Sequence, residues 1–152
     1  MREPFFGRVL KYALCAAFVV GVAGTISLPF MIDTYFKLFR SAPSLAPEYR
    51  SFILPFLMAV AVPLLWIVAE MILMLNSIPK GPFILRNVHA LSRIGFIFLI
   101  IAAAFLGKCL VFWNFLSLVF AFFLIGSGLF SFTFAALIKQ SIVFREENDL
   151  TI

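Results

Sequence analysis

The stretch 94–138 constrains the fold of this chain more than any other feature. It is almost entirely apolar, and its only charged side chain is Lys108. Crossing the hydrocarbon core of a bilayer takes about 20 helical residues at 1.5 Å each. The stretch is too long for one membrane helix, so it predicts two spans joined by a tight turn. We place this turn near 108–117, with Trp113 and Asn114 at the membrane interface, where Trp is favoured.

Two further apolar runs precede it, at about 11–32 and 52–75. The chain is 64% hydrophobic and only 12% charged, against about 45–50% and 25% in a soluble domain. It has far more apolar surface than a core of 152 residues could hide from water, so lipid must solvate much of it. We interpret the first run as an uncleaved helix rather than a signal peptide, because about 20 apolar residues exceed a signal core.

The sequence therefore predicts an all-α fold, an integral membrane four-helix bundle with short loops and a single domain. The spans are expected at about 11–32, 52–75, 94–112 and 117–138, with polar connectors at 33–51 and 76–93 and a polar tail from Lys139.

Basic residues set the orientation, because they are enriched on the cytoplasmic side. The N-terminus, the second connector and the tail together hold Arg2, Arg8, Lys11, Lys80, Arg86, Arg93, Lys139 and Arg145. The opposite side holds Lys37, Arg40, Arg50 and Lys108. This bias predicts that both termini and the connector 76–93 are cytoplasmic.

Small residues predict how the helices pack, since they let backbones approach where lipid is as apolar as the side chains. Two spans carry them at four-residue spacing, and the sets are Ala13, Ala17, Gly21 and Thr25, and Ser127, Ser131 and Ala135. We predict a contact between the first and fourth spans through Gly21 and Ser127 or Ser131. The alternative is that small residues are simply common in membrane helices.

Glu70 is an acid inside the second apolar run. An ionised carboxylate at the centre of a bilayer costs about 2.5–3.5 kcal/mol on insertion scales, and less near an edge. Thr133 is expected at a similar depth, and Arg93 and His89 are within reach. One interpretation is a proton site, a cation site or a switch, and the other is a structural bond to Arg93, His89 or a hydroxyl.

Enzymatic chemistry is not predicted. The chain has one histidine and two cysteines, Cys15 and Cys109, which the topology places near opposite faces of the membrane. There is no Ser/His/Asp set and no glycine-rich phosphate loop. We expect no cofactor and no metal site. The net charge of +5 comes from scattered side chains, so direct nucleic-acid binding is not expected either.

The tail combines acids with apolar residues. Residues 142–144 are apolar directly after the last span, and Leu150 and Ile152 are apolar at the end. We predict that 148–152 docks, with Leu150 buried against a short amphipathic helix at 83–93 or against a cytosolic partner. The alternative is a solvated, disordered tail.

Two stretches resemble a bacterial membrane family, the domain of unknown function 2975. They are Pro82-Phe83 with Asn87, Leu91 and Ile94-Gly95, and the ending Asn148-Asp149-Leu150-Thr151-Ile152. The resemblance implies a four-helix protein of the bacterial cytoplasmic membrane without established activity. It also implies a cytosolic helix-turn-helix, DNA-binding regulator as partner, contacted by Asn87 and by the tail residues Asn148, Asp149, Leu150 and Thr151.

Three functions follow as hypotheses. The first is a regulatory or partner-binding protein that presents its cytoplasmic connector and tail. The second is a small transporter or channel that uses Glu70, which a water-filled cavity would support. The third is a structural subunit of a membrane assembly, including a homo-oligomer, which an unpaired stripe of small residues would support.

Overall fold

The computed structural model describes residues 5–38, 47–77 and 84–149. Within these ranges four α-helices form nearly all of the structure, and each is long and apolar enough to cross a membrane. They are α1 (Phe5–Leu38), α2 (Pro47–Leu75), α3 (Leu85–Val111) and α4 (Phe115–Asp149). The prediction of an all-α, four-helix, membrane-spanning fold is confirmed.

The turn between α3 and α4 is shorter than predicted and has a defined cap. The N–H of Phe112 donates to the carbonyl of Lys108 over 2.8 Å as α3 ends. The side chain of Asn114 accepts a 2.9 Å bond from the N–H of Leu116 as α4 begins. Asn is favoured there because its oxygen satisfies an N–H without a helical partner. Trp113 is largely exposed between the two helices, which suits an interfacial position.

The separate amphipathic helix predicted at 83–93 is wrong in its described part. Residues 85–93 are the first turns of α3, which continues unbroken to Val111. No proline or glycine lies between Leu85 and Ile94, so nothing in the chain interrupts the helix there.

The helices pack in chain order, with α3 against α4 as the most extensive pair. The buried core lies between α2, α3 and α4 and contains Val60, Ile67, Ile94, Ile101, Ala102 and Leu124. The contribution of this core to the stability of the fold comes mainly from close packing, because lipid solvates apolar side chains as well as a protein core does.

Two glycines mark the closest approach of α3 and α4. A Cβ atom added at Gly95 would lie 3.0 Å from the carbonyl oxygen of Gly128, and one added at Gly128 would lie 3.0 Å from that of Gly95. Neither glycine belongs to the predicted packing stripes. Backbone contact of this kind is the usual reason for a small residue at a membrane helix crossing.

The predicted contact between the first and fourth spans is wrong. α1 packs on α2 instead, and a Cβ at Gly21 would lie 2.8 Å from Cδ2 of Leu65. Ala13 and Ala17 are exposed, and Thr25 donates over 2.8 Å to the carbonyl of Gly21 in its own helix. No residue in the most apolar window of α1 is buried.

On α4 the predicted stripe faces a different neighbour. Ser131 and Ala135 are buried on a helix whose main contact is α3. Ser127 is only half-buried, at the edge of a groove. Regular spacing shows which faces allow close approach, but it does not show which helix approaches.

Inter-helix contacts also fix relative heights. Glu70, near the end of α2, meets Arg93, near the start of α3, and Tyr49, near the start of α2, meets Phe112, just past the end of α3. These two helices are therefore antiparallel. Leu65 lies five residues before Glu70, and Phe98 lies five residues after Arg93. Because the helices are antiparallel, Leu65 and Phe98 lie at about the same height.

The same reasoning extends to the outer helices. Gly21 is level with Leu65 through their contact, and the Gly95–Gly128 crossing places Ile125 level with Phe98. If these residues lie at the bilayer centre, a core of about 30 Å covers about ten residues on either side. The core segments are then about 11–31, 55–75, 88–108 and 115–135, close to the predicted spans.

Candidate functional site

A buried acid and a half-exposed base form an ion pair between α2 and α3. Nη2 of Arg93 lies 3.0 Å from Oε1 and 3.1 Å from Oε2 of Glu70. The Glu70 side chain is only 10% exposed, whereas that of Arg93 is 55% exposed. Pairing with a guanidinium in a charge-assisted bond offsets part of the desolvation penalty of a buried carboxylate, which would be larger without a partner. Of the interpretations offered for Glu70, the structural bond to Arg93 is the one that the geometry matches.

A second polar contact lies nearby, between the turn that follows α2 and the first turn of α3. The hydroxyl of Ser77 lies 2.7 Å from Oδ1 of Asn87 and 2.6 Å from the carbonyl of Met74, with its one proton available to either acceptor. Ser77 and Asn87 are almost fully buried. Asn87 was predicted to face a partner, and that prediction is wrong, because its side chain ties α3 to the end of α2.

Two other predicted members of the Glu70 site do not approach it. Nδ1 of His89 lies 2.8 Å from the carbonyl of Leu85 on its own helix, and the ring is exposed. Thr133 is also exposed and donates over 3.0 Å to the carbonyl of Leu129. Each of these side chains bonds to a carbonyl of its own helix, and neither contacts Glu70 among the described contacts.

An open apolar groove of about 600 Å³ runs along α3 and α4 beside the end of α2. Its lining includes Met71, Phe98, Phe130 and Phe134. The hydroxyls of Ser127 and Ser131 also line it, but each donates to a carbonyl of α4. Such a groove suits hydrocarbon rather than hydrated ions, and Glu70 is not among its lining residues.

Lys108 is buried at the opposite end of α3. Its Nζ donates over 2.9 Å to the hydroxyl of Ser117 and lies 5.7 Å from the ring centres of both Tyr49 and Phe56. Aromatic faces attract an ammonium group through their quadrupole. The side chain thereby links the start of α2 to the α3–α4 turn.

The sequence predicted Lys108 to be a turn residue on the outer side, and its burial was missed. The signal that could have found it is the set of aromatic residues at the ends expected to meet there, which comprises Tyr49, Phe52, Phe56, Phe105 and Phe112.

The C-terminal end of α4 is a further feature with functional potential. The helix continues through the predicted polar tail as far as Asp149. Its exposed side chains include Val143 and Phe144. Asn148, the first of the residues predicted to dock, is exposed in the last turn. The last three of them, Leu150–Ile152, lie outside the described part of the chain.

No family model, curated protein or solved structure matches this chain. The resemblance to the family of unknown function therefore stays a prediction. Among the described residues, no group of three His, Cys, Asp or Glu side chains could hold a metal ion.

Proposed function

We propose that this protein is a regulatory or adaptor protein of the bacterial cytoplasmic membrane, with both termini in the cytoplasm. It binds a cytosolic partner through the extension of α4, which we define as residues 139–149. The observation that carries the proposal is the exposure of Val143 and Phe144 on the part of α4 that continues past the predicted fourth span.

The distance of Phe144 from the bilayer centre is what makes its exposure unfavourable. Phe144 lies 19 residues beyond Ile125, or about 28 Å from the bilayer centre at 1.5 Å per residue. Headgroup layers end about 20–22 Å from the centre, and an average tilt of about 20° shortens the height by only a few per cent. With Ile125 at the bilayer centre, Phe144 stands in water, where an apolar ring is unfavourable.

A docking role explains why such residues persist on the extension. Apolar residues on one side of a helix are the usual anchors when a helix binds in the groove of another protein. Arg145, Glu146 and Glu147 follow directly and would form the polar rim of the interface. The family resemblance suggests a helix-turn-helix regulator as the partner, which such a membrane protein would hold at the membrane.

Phe144→Asp is expected to abolish partner binding without unfolding the membrane domain. Burying a Phe side chain contributes about 1.5–3 kcal/mol, so partner recovery should fall at least tenfold. Wild type and variants would be purified from the native host with a mild detergent and their soluble partners quantified by mass spectrometry. Binding would then be repeated with the purified partner.

Ser141→Asp is the matched control, because it adds the same charge to the same exposed extension and removes no apolar side chain. It should recover the partner as well as wild type does. If no cytosolic protein depends on Phe144, or if Ser141→Asp loses binding equally, the extension is not a docking helix.

A second candidate is a subunit of a membrane assembly or a homo-oligomer. The exposed Ala13 and Ala17 of α1 favour it, and a Cβ added at Gly24 would meet nothing within 4 Å. These are small residues on the surface of α1 of the kind that such a function leads one to expect, although Gly21 of the same helix packs against Leu65. The transporter hypothesis gains no comparable observation, since Glu70 is paired and the groove beside α2 is apolar.

A further inference from the structure

One exposed face of α3 changes from basic to apolar along its length. This face begins with three polar residues. His89 lies three residues after Arg86, and Arg93 lies seven residues after it, so helical periodicity places them on one side. All three are exposed. Phe96 and Ile100 continue the same side toward the bilayer centre, and they are 61% and 51% exposed.

Arg93 is the anomalous member of this face. It lies five residues from Phe98, about 7–8 Å from the bilayer centre, yet its side chain is more than half exposed. Only its Nη2 contacts Glu70, so the donors on Nη1 and Nε have no partner in the described part of the chain. A guanidinium facing hydrocarbon is strongly unfavourable unless it reaches water or a phosphate.

His89 adds a second recognition element. Its Nδ1 donates to the carbonyl of Leu85, because a carbonyl can only accept. In the neutral ring this leaves Nε2 as an acceptor, which can receive a hydrogen bond from a hydroxyl. Arg86 has no hydrogen bond or ion pair with the described residues and extends this face toward the headgroup layer.

We propose that this face of α3 binds an anionic, hydroxyl-bearing phospholipid of the phosphatidylglycerol type. The phosphate is held between Arg86 and Arg93, the headgroup hydroxyl donates to Nε2 of His89, and an acyl chain lies along Phe96 and Ile100. Arg93 meets the phosphate from the membrane side, because Glu70 holds Nη2 of its guanidinium and leaves the remaining donors for the phosphate.

The site does not depend on partner docking by α4. Basic residues at the cytoplasmic ends of membrane helices are the usual determinants of binding to anionic headgroups. The apolar half of the face then distinguishes a whole lipid from a phosphate in solution, since only a lipid has a chain to cover Phe96 and Ile100.

Native mass spectrometry of the purified full chain in a neutral detergent tests this site, with phosphatidylglycerol titrated against phosphatidylcholine. Wild type should bind one phosphatidylglycerol at least fivefold more tightly than phosphatidylcholine. Arg86→Gln should weaken phosphatidylglycerol binding roughly fivefold, the effect of one basic residue near an anionic surface. Lys139→Gln, which removes an exposed cation from α4, should leave the affinity unchanged.

The double variant Glu70→Gln/Arg93→Gln removes both charges without leaving one buried alone, and it should abolish the preference. If it does not fold, Arg86→Gln still decides, because Arg86 has no structural contact to lose. Equal binding of the two lipids, an unaltered affinity in Arg86→Gln, or displacement of the lipid by millimolar glycerol phosphate would overturn the proposal.

Discussion

Gly128→Leu is expected to be among the most destabilising single changes in the membrane domain. Its Cβ alone would lie 3.0 Å from the carbonyl oxygen of Gly95 and 3.2 Å from Leu99. A backbone carbonyl cannot move aside as a flexible side chain can, so α3 and α4 must separate. Overpacking of this kind costs about 1–3 kcal/mol, and we expect the melting temperature in detergent to fall by roughly 5–10 °C.

Gly126→Leu is the matched control on the same helix. A Cβ at Gly126 meets nothing within 4 Å, because this residue faces the open groove. Its melting temperature should stay within about 2 °C of wild type, while Gly95→Leu should behave like Gly128→Leu. Equal melting of the Gly126 and Gly128 variants would mean that the two glycines do not form the α3–α4 crossing.

Removing Arg93 is expected to cost much more stability than neutralising Glu70. Arg93→Ala leaves a carboxylate buried in the membrane without a partner, and breaking a buried pair from one side is the expensive case. We expect a loss of about 2–3 kcal/mol in a neutral detergent. Glu70→Gln leaves only a half-exposed guanidinium, which can reach headgroups or water, so its cost should stay below about 1 kcal/mol.

The double variant Glu70→Gln/Arg93→Ala separates charge burial from lost packing. It should recover most of the stability lost in Arg93→Ala, because no uncompensated charge remains. The unfolding free energies of wild type and the three variants together form a double-mutant cycle. If Arg93→Ala and Glu70→Gln destabilise equally, or if the double variant shows no recovery, the ion pair does not hold a buried charge.

The sequence was most informative where a single physical constraint dominated. A bilayer core accepts only closed hydrogen-bonded structure, so three apolar runs, one of them long enough for two spans, led directly to four helices. The single charge at Lys108 and the adjacent Trp113 also located the α3–α4 turn. Glu70 was identified as needing a partner, and Arg93 was among the side chains named for it.

Neighbour relationships were harder to predict because they depend on which helix faces another. The α1 stripe containing Gly21 lies against α2, while α4 pairs with α3 through Gly128, an isolated glycine without a repeating pattern. Lys108 was predicted to be a turn residue, but it lies in the last turn of α3 and its side chain is buried beside aromatic residues supplied by α2. Burial of this kind depends on the three-dimensional arrangement.

The end of α4 was predicted as a polar tail because its composition changes after Ile138. A change from apolar to polar residues indicates where a span leaves the bilayer, but it does not by itself terminate a helix. The residues from Lys139 to Asp149 include neither proline nor glycine, so nothing stops the helix at the boundary.

Cysteine labelling tests most directly the central claim that α4 carries its exposed extension into the cytoplasm. In a background with Cys15→Ala and Cys109→Ala, Glu48→Cys and Ser141→Cys place single probes at exposed positions beyond opposite ends of the core. In intact cells with a permeable outer envelope, a membrane-impermeant maleimide should label Glu48→Cys at once. Ser141→Cys should react only after the cytoplasmic membrane is opened. Labelling of Ser141→Cys in intact cells, or protection of Glu48→Cys, would contradict the account.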